Sequence, residues 1–208
     1  IEVGTSDFRT LTQYVAESDD TWPLGRALRN WDPKTVRGIA VDPVDFLLRR
    51  LPELPCVSKV AVALGVEDGM MVCTHVQEDA GERYPHSYGV WFARGAASVG
   101  NAPRTHPQLK EQLEREGISP DDVLVSESIP VWTFGTLASH CKVSSVDLLK
   151  LDCEVADLAI MHSLLAYCDK WPATLPRIFA FETNILSSSG AVDEIVGSLC
   201  RRGYRVLR

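Results

Sequence analysis

Apolar and polar positions in this chain alternate between two patterns. Short, nearly continuous apolar runs recur at Ile1–Val3, Val36–Val44, Ser58–Leu64, Met70–Val76, Ser145–Asp152 and Arg177–Thr183. Runs of this length, rich in β-branched residues and leucine, read as strands, and the least interrupted of them as strands covered on both faces. Between the runs, apolar residues recur at helical spacing: Val44, Leu47, Leu48 and Leu51; Leu158, Met161, Leu165 and Cys168; Val192, Ile195, Val196 and Leu199. Each set forms one stripe of a helix. Pro107–Gly117 reads as a short helix ended by glycine, and Val131–Cys141 as another. Serines 187–189 cap the last helix, Gly203 stops it, and Tyr204–Arg208 starts one more strand.

Strands alternating with helices predict an α/β fold: a mainly parallel, doubly wound, Rossmann-like sheet with helices on both faces. Such sheets bind ligands at the carboxyl ends of their strands. Gln77–Pro107 is richer in Gly, Pro, His and Arg and is too long for a plain connection. The expected organisation is one domain over 1–208 with an inserted loop region around 77–130. No repeat or low-complexity segment interrupts it.

Composition narrows the function. The 208 residues are 45% hydrophobic and 24% charged, as in an ordinary globular protein, and can bury a substantial core. A formal charge of −7 argues against a phosphate-tracking surface, so no nucleic-acid partner is expected. No stretch approaches the roughly 20 apolar residues of a membrane span, and no secretory signal is visible. The six cysteines have no CxxC spacing and sit mostly in apolar runs. They read as buried thiols, which places the protein in the cytoplasm or another reducing compartment.

The candidate chemistry lies at the strand exits. Glu2-Val3-Gly4 leads into Thr5, Ser6 and Asp7; the second strand ends in Asp42; Leu-Lys-Leu-Asp ends in Asp152, with Glu154 behind; Ile-Phe-Ala-Phe ends in Glu182. A carboxylate at the rim of an apolar strand is costly without a partner, and several at one rim suggest a polar ligand. Asp42 suits the two hydroxyls of a ribose. It also suits a helix cap ahead of Pro43, and both readings stand. It follows Gly4 by 38 residues, against about 20 in dinucleotide-binding folds, so an extra segment lies between. The turn after the first strand has one glycine, with Ser6 and Asp7 where a pyrophosphate needs close backbone approach. A nicotinamide cofactor, and with it a dehydrogenase, therefore fits poorly. S-adenosylmethionine fits better: it carries a ribose, a sulfonium and an amino group, and no phosphate.

These segments taken together resemble the FkbM family of S-adenosylmethionine-dependent methyltransferases. The resemblance rests on IEVGTSDF, VDPV, WFARGAASVGNAPRTHP, SSVDLLKLDCEVAD, FAFETN and VDEIVGSLCRRGYRVL, in that order over most of the chain. It implies a class I methyltransferase fold and methyl transfer to an oxygen of a sugar or other hydroxylated small molecule. It places Glu2, Gly4 and Asp7 in the methionine-binding turn, Asp42 on the ribose, and Ala63 and Leu64 beside the adenine. Asp152 and Glu154 form the acidic block near the transferred methyl, with Asp152 also counted among the cofactor contacts and Glu182 at the next exit. One departure is plain: where the family has glycine and often histidine after the acidic pair, this chain has Val155 and Ala156.

A missing histidine moves the search for a base to the middle section. Arg94, Asn101 and His106 lie there, and His106 is the candidate catalytic base beside Asp152 and Glu154. It reads equally well as a surface residue before Pro107. Asp152 reads alternatively as a cap for the helix that starts near Ala156. His140 reads as structural, and His75, His86 and His162 show no ligand spacing; Asp152, Glu154 or Glu182 are the alternative ligands for a divalent metal, but their spacing alone does not support one, so no metal is expected. A catalytically inactive methyltransferase-fold binding or scaffold domain is the alternative to an enzyme.

Overall fold

The computed structural model describes residues 1–4, 37–51, 53, 55–93, 97–99, 107–153, 156–181 and 189–206. Over these the protein is α/β, and its parallel sheet has five strands, compatible with a Rossmann-like fold. In chain order the strands are β1 (Glu2–Val3), β2 (Gly38–Asp42), β3 (Val57–Ala61), β4 (Ala63–Leu64), β5 (Gly69–Val76), β6 (Ser98–Val99), β7 (Leu124–Trp132), β8 (Leu148–Leu151) and β9 (Ile178–Phe181). The helices are α1 (Asp45–Arg50), α2 (Ala80–Arg83), α3 (Tyr88–Ala93), α4 (Pro107–Arg115), α5 (Pro120–Val123), α6 (Phe134–His140), α7 (Asp157–Lys170) and α8 (Ser189–Arg201). The parallel sheet has the order β3-β2-β1-β8-β9, and a second sheet the order β4-β7-β5-β6. The chain divides into two compact units.

The first unit comprises Ile1–Gly4, Leu64–Asp68 and Trp132–Arg208. Its strands β1, β8 and β9 run parallel, with Glu2 opposite Lys150, Val3 opposite Leu151, and Leu148–Leu151 opposite Ile178–Phe181. Leu149 and Leu151 are fully buried, which explains the apolar run of β8. Helix α7 buries Ile160, Met161, Leu164, Leu165 and Cys168 at the spacing of a single stripe. Helix α6 begins at Thr133, whose Oγ1 accepts the Thr136 N–H at 3.2 Å. Asp68 reinforces that cap, accepting the Thr133 N–H and the Thr136 hydroxyl at 2.6 Å each. These bonds satisfy donors that a helix start leaves open.

The second unit comprises Thr5–Ala63 and Gly69–Val131. Its parallel pair β2–β3 places Gly38 opposite Val57 and Asp42 opposite Ala61. Strands β5 and β7 form an antiparallel ladder from Gly69 opposite Val131 to Val76 opposite Leu124. Phe46, Leu47, Val76, Val90, Leu109, Leu113, Val123 and Leu124 make one buried apolar cluster there.

Several expectations change. The sheet is not mainly parallel throughout, because the second sheet pairs β5 with β7 and β6 antiparallel. Strand β7 gave only a broken apolar signal: four consecutive residues, Val125–Ser128, are exposed, so burial imposed no alternation on that stretch. Residues 77–130, expected as an inserted loop region, contain α2 to α5, β6 and most of β7. Val131–Cys141 is not one helix; Val131 and Trp132 finish β7 and the helix starts after Thr133. Ser58–Leu64 is not one strand; the chain breaks at Val62, and its two halves join different sheets. Tyr204–Val206 is not a strand. Tyr204 is instead held by its hydroxyl, which donates to the Pro176 carbonyl, and by an edge contact with Phe179.

Among the described residues, no helix is long and apolar enough to cross a membrane.

Candidate functional site

The exits of β1 and β8 meet within the first unit, and Gly4 is where they meet. Its φ is +75°, and a Cβ built there would lie 1.8 Å from the carbonyl oxygen of Asp152. Only glycine combines that backbone conformation with that approach. The Asp152 N–H donates to the Val3 carbonyl at 3.0 Å, so the β1–β8 ladder continues to the last residue before the turn.

Glu2 and Lys150 are register partners on this ladder. The Lys150 ammonium lies 3.1 Å from Glu2 Oε1 and 3.5 Å from Asp152 Oδ2. The Glu2 side chain is 2% exposed and that of Lys150 17%, while that of Asp152 is 32% exposed. Burial works against the Lys150 charge, but the carboxylates of Glu2 and Asp152 outweigh it and raise the lysine pKa above its ordinary value. Breaking such a buried pair from one side leaves an uncompensated charge, at a typical cost of about 3–5 kcal/mol. Just beyond, the buried Asp157 accepts the Cys153 N–H on Oδ1 at 2.7 Å. That bond ties the exit of β8 to the start of α7. The alternative reading of Asp152 as a helix cap is not seen: the residue before α7 is Ala156, with no side-chain cap, and Asp152 lies beside Lys150 instead.

Asp42, in the second unit, ends β2 and is 4% exposed. Its Oδ1 accepts the Val44 N–H at 2.8 Å across Pro43, which sets the turn into α1. Its charge also reaches Cys73, whose thiol is pushed up to about 12 by burial first and then by Asp42 and Glu127. Ala63 and Leu64 form β4 and are both buried. Ala63 packs with Cys73, Ile129 and Val131.

The structure therefore brings Glu2, Gly4 and Asp152 together. Asp7, Glu154 and His106 lie outside the described residues, as do Arg94, Asn101, Val155 and Glu182. Sequence reasoning missed Lys150 and Asp157. The signal for Lys150 was a lone lysine inside an apolar strand, which must find a counter-charge or leave the sheet. His75, read without a role, is a buried cross-strand tie, with Nε2 2.7 Å from Glu127 Oε1 and Nδ1 2.8 Å from the Val76 carbonyl. Among the described residues, no group of three or more His, Cys, Asp or Glu could hold a metal ion. None of the six cysteines is joined in a disulfide.

No family model, curated protein or solved structure matches this chain.

Proposed function

We propose that this chain is an S-adenosylmethionine-dependent methyltransferase of the FkbM type, acting on a hydroxyl oxygen of a sugar or other small metabolite. The observation that carries the reading is the β1 exit. One left-handed glycine presses on the Asp152 carbonyl, and the carboxylates of Glu2 and Asp152 stand at the same exit. A Cβ at Gly4 would collide with that carbonyl, so the glycine lets the two strand exits close up, and the net negative charge of Glu2, Lys150 and Asp152 disfavours a pyrophosphate there. That charge suits a ligand bearing an amino group and a sulfonium.

When bound, S-adenosylmethionine supplies an electrophilic methyl group. In this reading Glu2, Gly4, Asp7 and Asp152 hold its methionine portion, Asp42 accepts the ribose hydroxyls, and Ala63 and Leu64 flank the adenine. Asp152, Glu154 and His106 are the candidates for orienting the acceptor hydroxyl and taking its proton.

A second reading has one specific observation in its favour. Lys150 lies against Asp152 and competes for the lone pairs that would receive a proton. A methyltransferase-fold domain that binds the cofactor and performs no transfer would tolerate that arrangement. Calorimetry with S-adenosylmethionine, S-adenosylhomocysteine and NAD tests the cofactor: saturable binding of the first two and none of NAD is the expected result. Methyl transfer from labelled S-adenosylmethionine to a panel of sugars and hydroxylated metabolites then separates enzyme from scaffold.

A further inference from the structure

We infer that Lys150 is a positioning residue of the cofactor site, acting through Asp152; the inference rests on the methyltransferase reading above. Lys150 sits in β8 opposite Glu2, and the Glu2 side chain has almost no freedom: it is 2% exposed and paired at 3.1 Å. The ammonium is thereby anchored from the β1 side. From that anchor it reaches Asp152 Oδ2 at 3.5 Å, while the Asp152 side chain stays 32% exposed and open to a ligand. The backbone of Asp152 is held as firmly, by its N–H on Val3 and by Gly4 against its carbonyl. Lys150 supplies the restraint that the backbone cannot, on the rotamer of the carboxylate itself. Preorganised groups bind better than groups that must be ordered on binding.

Charge alone would act in the opposite direction. With all three groups ionised, Glu2, Lys150 and Asp152 sum to one negative charge, and removing the lysine leaves two. A sulfonium ligand would then be drawn more strongly. The two effects of Lys150 therefore differ in sign, and the direction of the change identifies which one dominates.

The test is the dissociation constant of S-adenosylmethionine by calorimetry on the whole chain. The variants are Lys150→Met, Lys150→Arg, Glu2→Gln and the double variant Glu2→Gln/Lys150→Met, the double variant being compared with Glu2→Gln because Glu2 itself is placed at the cofactor. The double variant leaves no unpaired buried carboxylate at position 2, so it remains measurable if Lys150→Met does not fold. The expected result is at least about tenfold weaker binding in the double variant than in Glu2→Gln, and in Lys150→Met, where it folds, than in the unsubstituted protein, with Lys150→Arg restoring most of the affinity. Unchanged or tighter binding in the folded methionine variants overturns the positioning role and leaves the methyltransferase reading standing. Absence of S-adenosylmethionine binding by the unsubstituted protein overturns both.

Discussion

Gly4 and Asp152 are in backbone contact from adjacent parallel strands, so close that a methyl group on Gly4 would overlap the Asp152 carbonyl oxygen. Gly4→Ala therefore meets two obstacles, a left-handed φ and a backbone atom that cannot swing aside. We expect it to destabilise the protein by at least about 2 kcal/mol, read as a lower urea midpoint, or to prevent folding. A variant with an unchanged midpoint would show that the β1 exit is free to shift.

Asp42 carries a turn, and in the proposed reading a ribose. Asp42→Asn keeps an acceptor for the Val44 N–H and should melt near the unsubstituted protein. Asp42→Ala removes that acceptor and should cost about 1–2 kcal/mol of stability. If Asp42 also accepts the ribose hydroxyls, both variants bind S-adenosylmethionine more weakly, by roughly 1–3 kcal/mol. Full affinity in Asp42→Asn leaves this residue with the turn alone.

Glu116 ties the start of α3 to the end of α4. It accepts hydrogen bonds from the Ser87 hydroxyl, from Gln112 Nε2 at 2.6 Å and from the Gly89 N–H, and Ser87 Oγ in turn accepts the Val90 N–H. The bonds from Ser87 and then Gln112 hold the Glu116 carboxyl below its ordinary pKa of 4.5. A depressed carboxylate contributes stability that is present above its ordinary pKa and lost as pH falls through the lower folded value. The protein should therefore lose stability on acidification below about pH 4.5, and Glu116→Gln should flatten that limb. Solvent screening keeps the contribution to no more than about 1 kcal/mol. Identical pH profiles for the two proteins would remove Glu116 from the account.

Thiol reactivity should sort by burial. Cys200 is exposed, whereas Cys73 and Cys168 are buried and burial raises both thiols, Cys73 to about 12. At pH 8 alkylation followed by mass spectrometry should label Cys200 within minutes and spare Cys73 and Cys168 until denaturant is added. Early labelling of Cys73 would mean that the β5–β7 ladder opens in the native state.

Local pattern by itself determined much of the first unit. The apolar run of β8, the stripes of α7 and α8 and the glycine at the β1 exit are all readable in the sequence, because each is set by what its own neighbours must bury or by the one backbone conformation a turn requires. Asp42, too, could be placed at a strand exit from the Asp-Pro step alone. The antiparallel sheet was not readable. Four of the nine residues of β7 are exposed in a row, so that stretch reports no face, and its pairing with β5 is what makes it strand. Nor was the Glu2–Lys150–Asp152 arrangement. Glu2 and Lys150 stand 148 residues apart, and periodicity says which side of a strand is buried, not which strand lies beside it. Only the parallel register of β1 and β8 put that lysine opposite that glutamate, and the desolvation of both charges made the pairing obligatory.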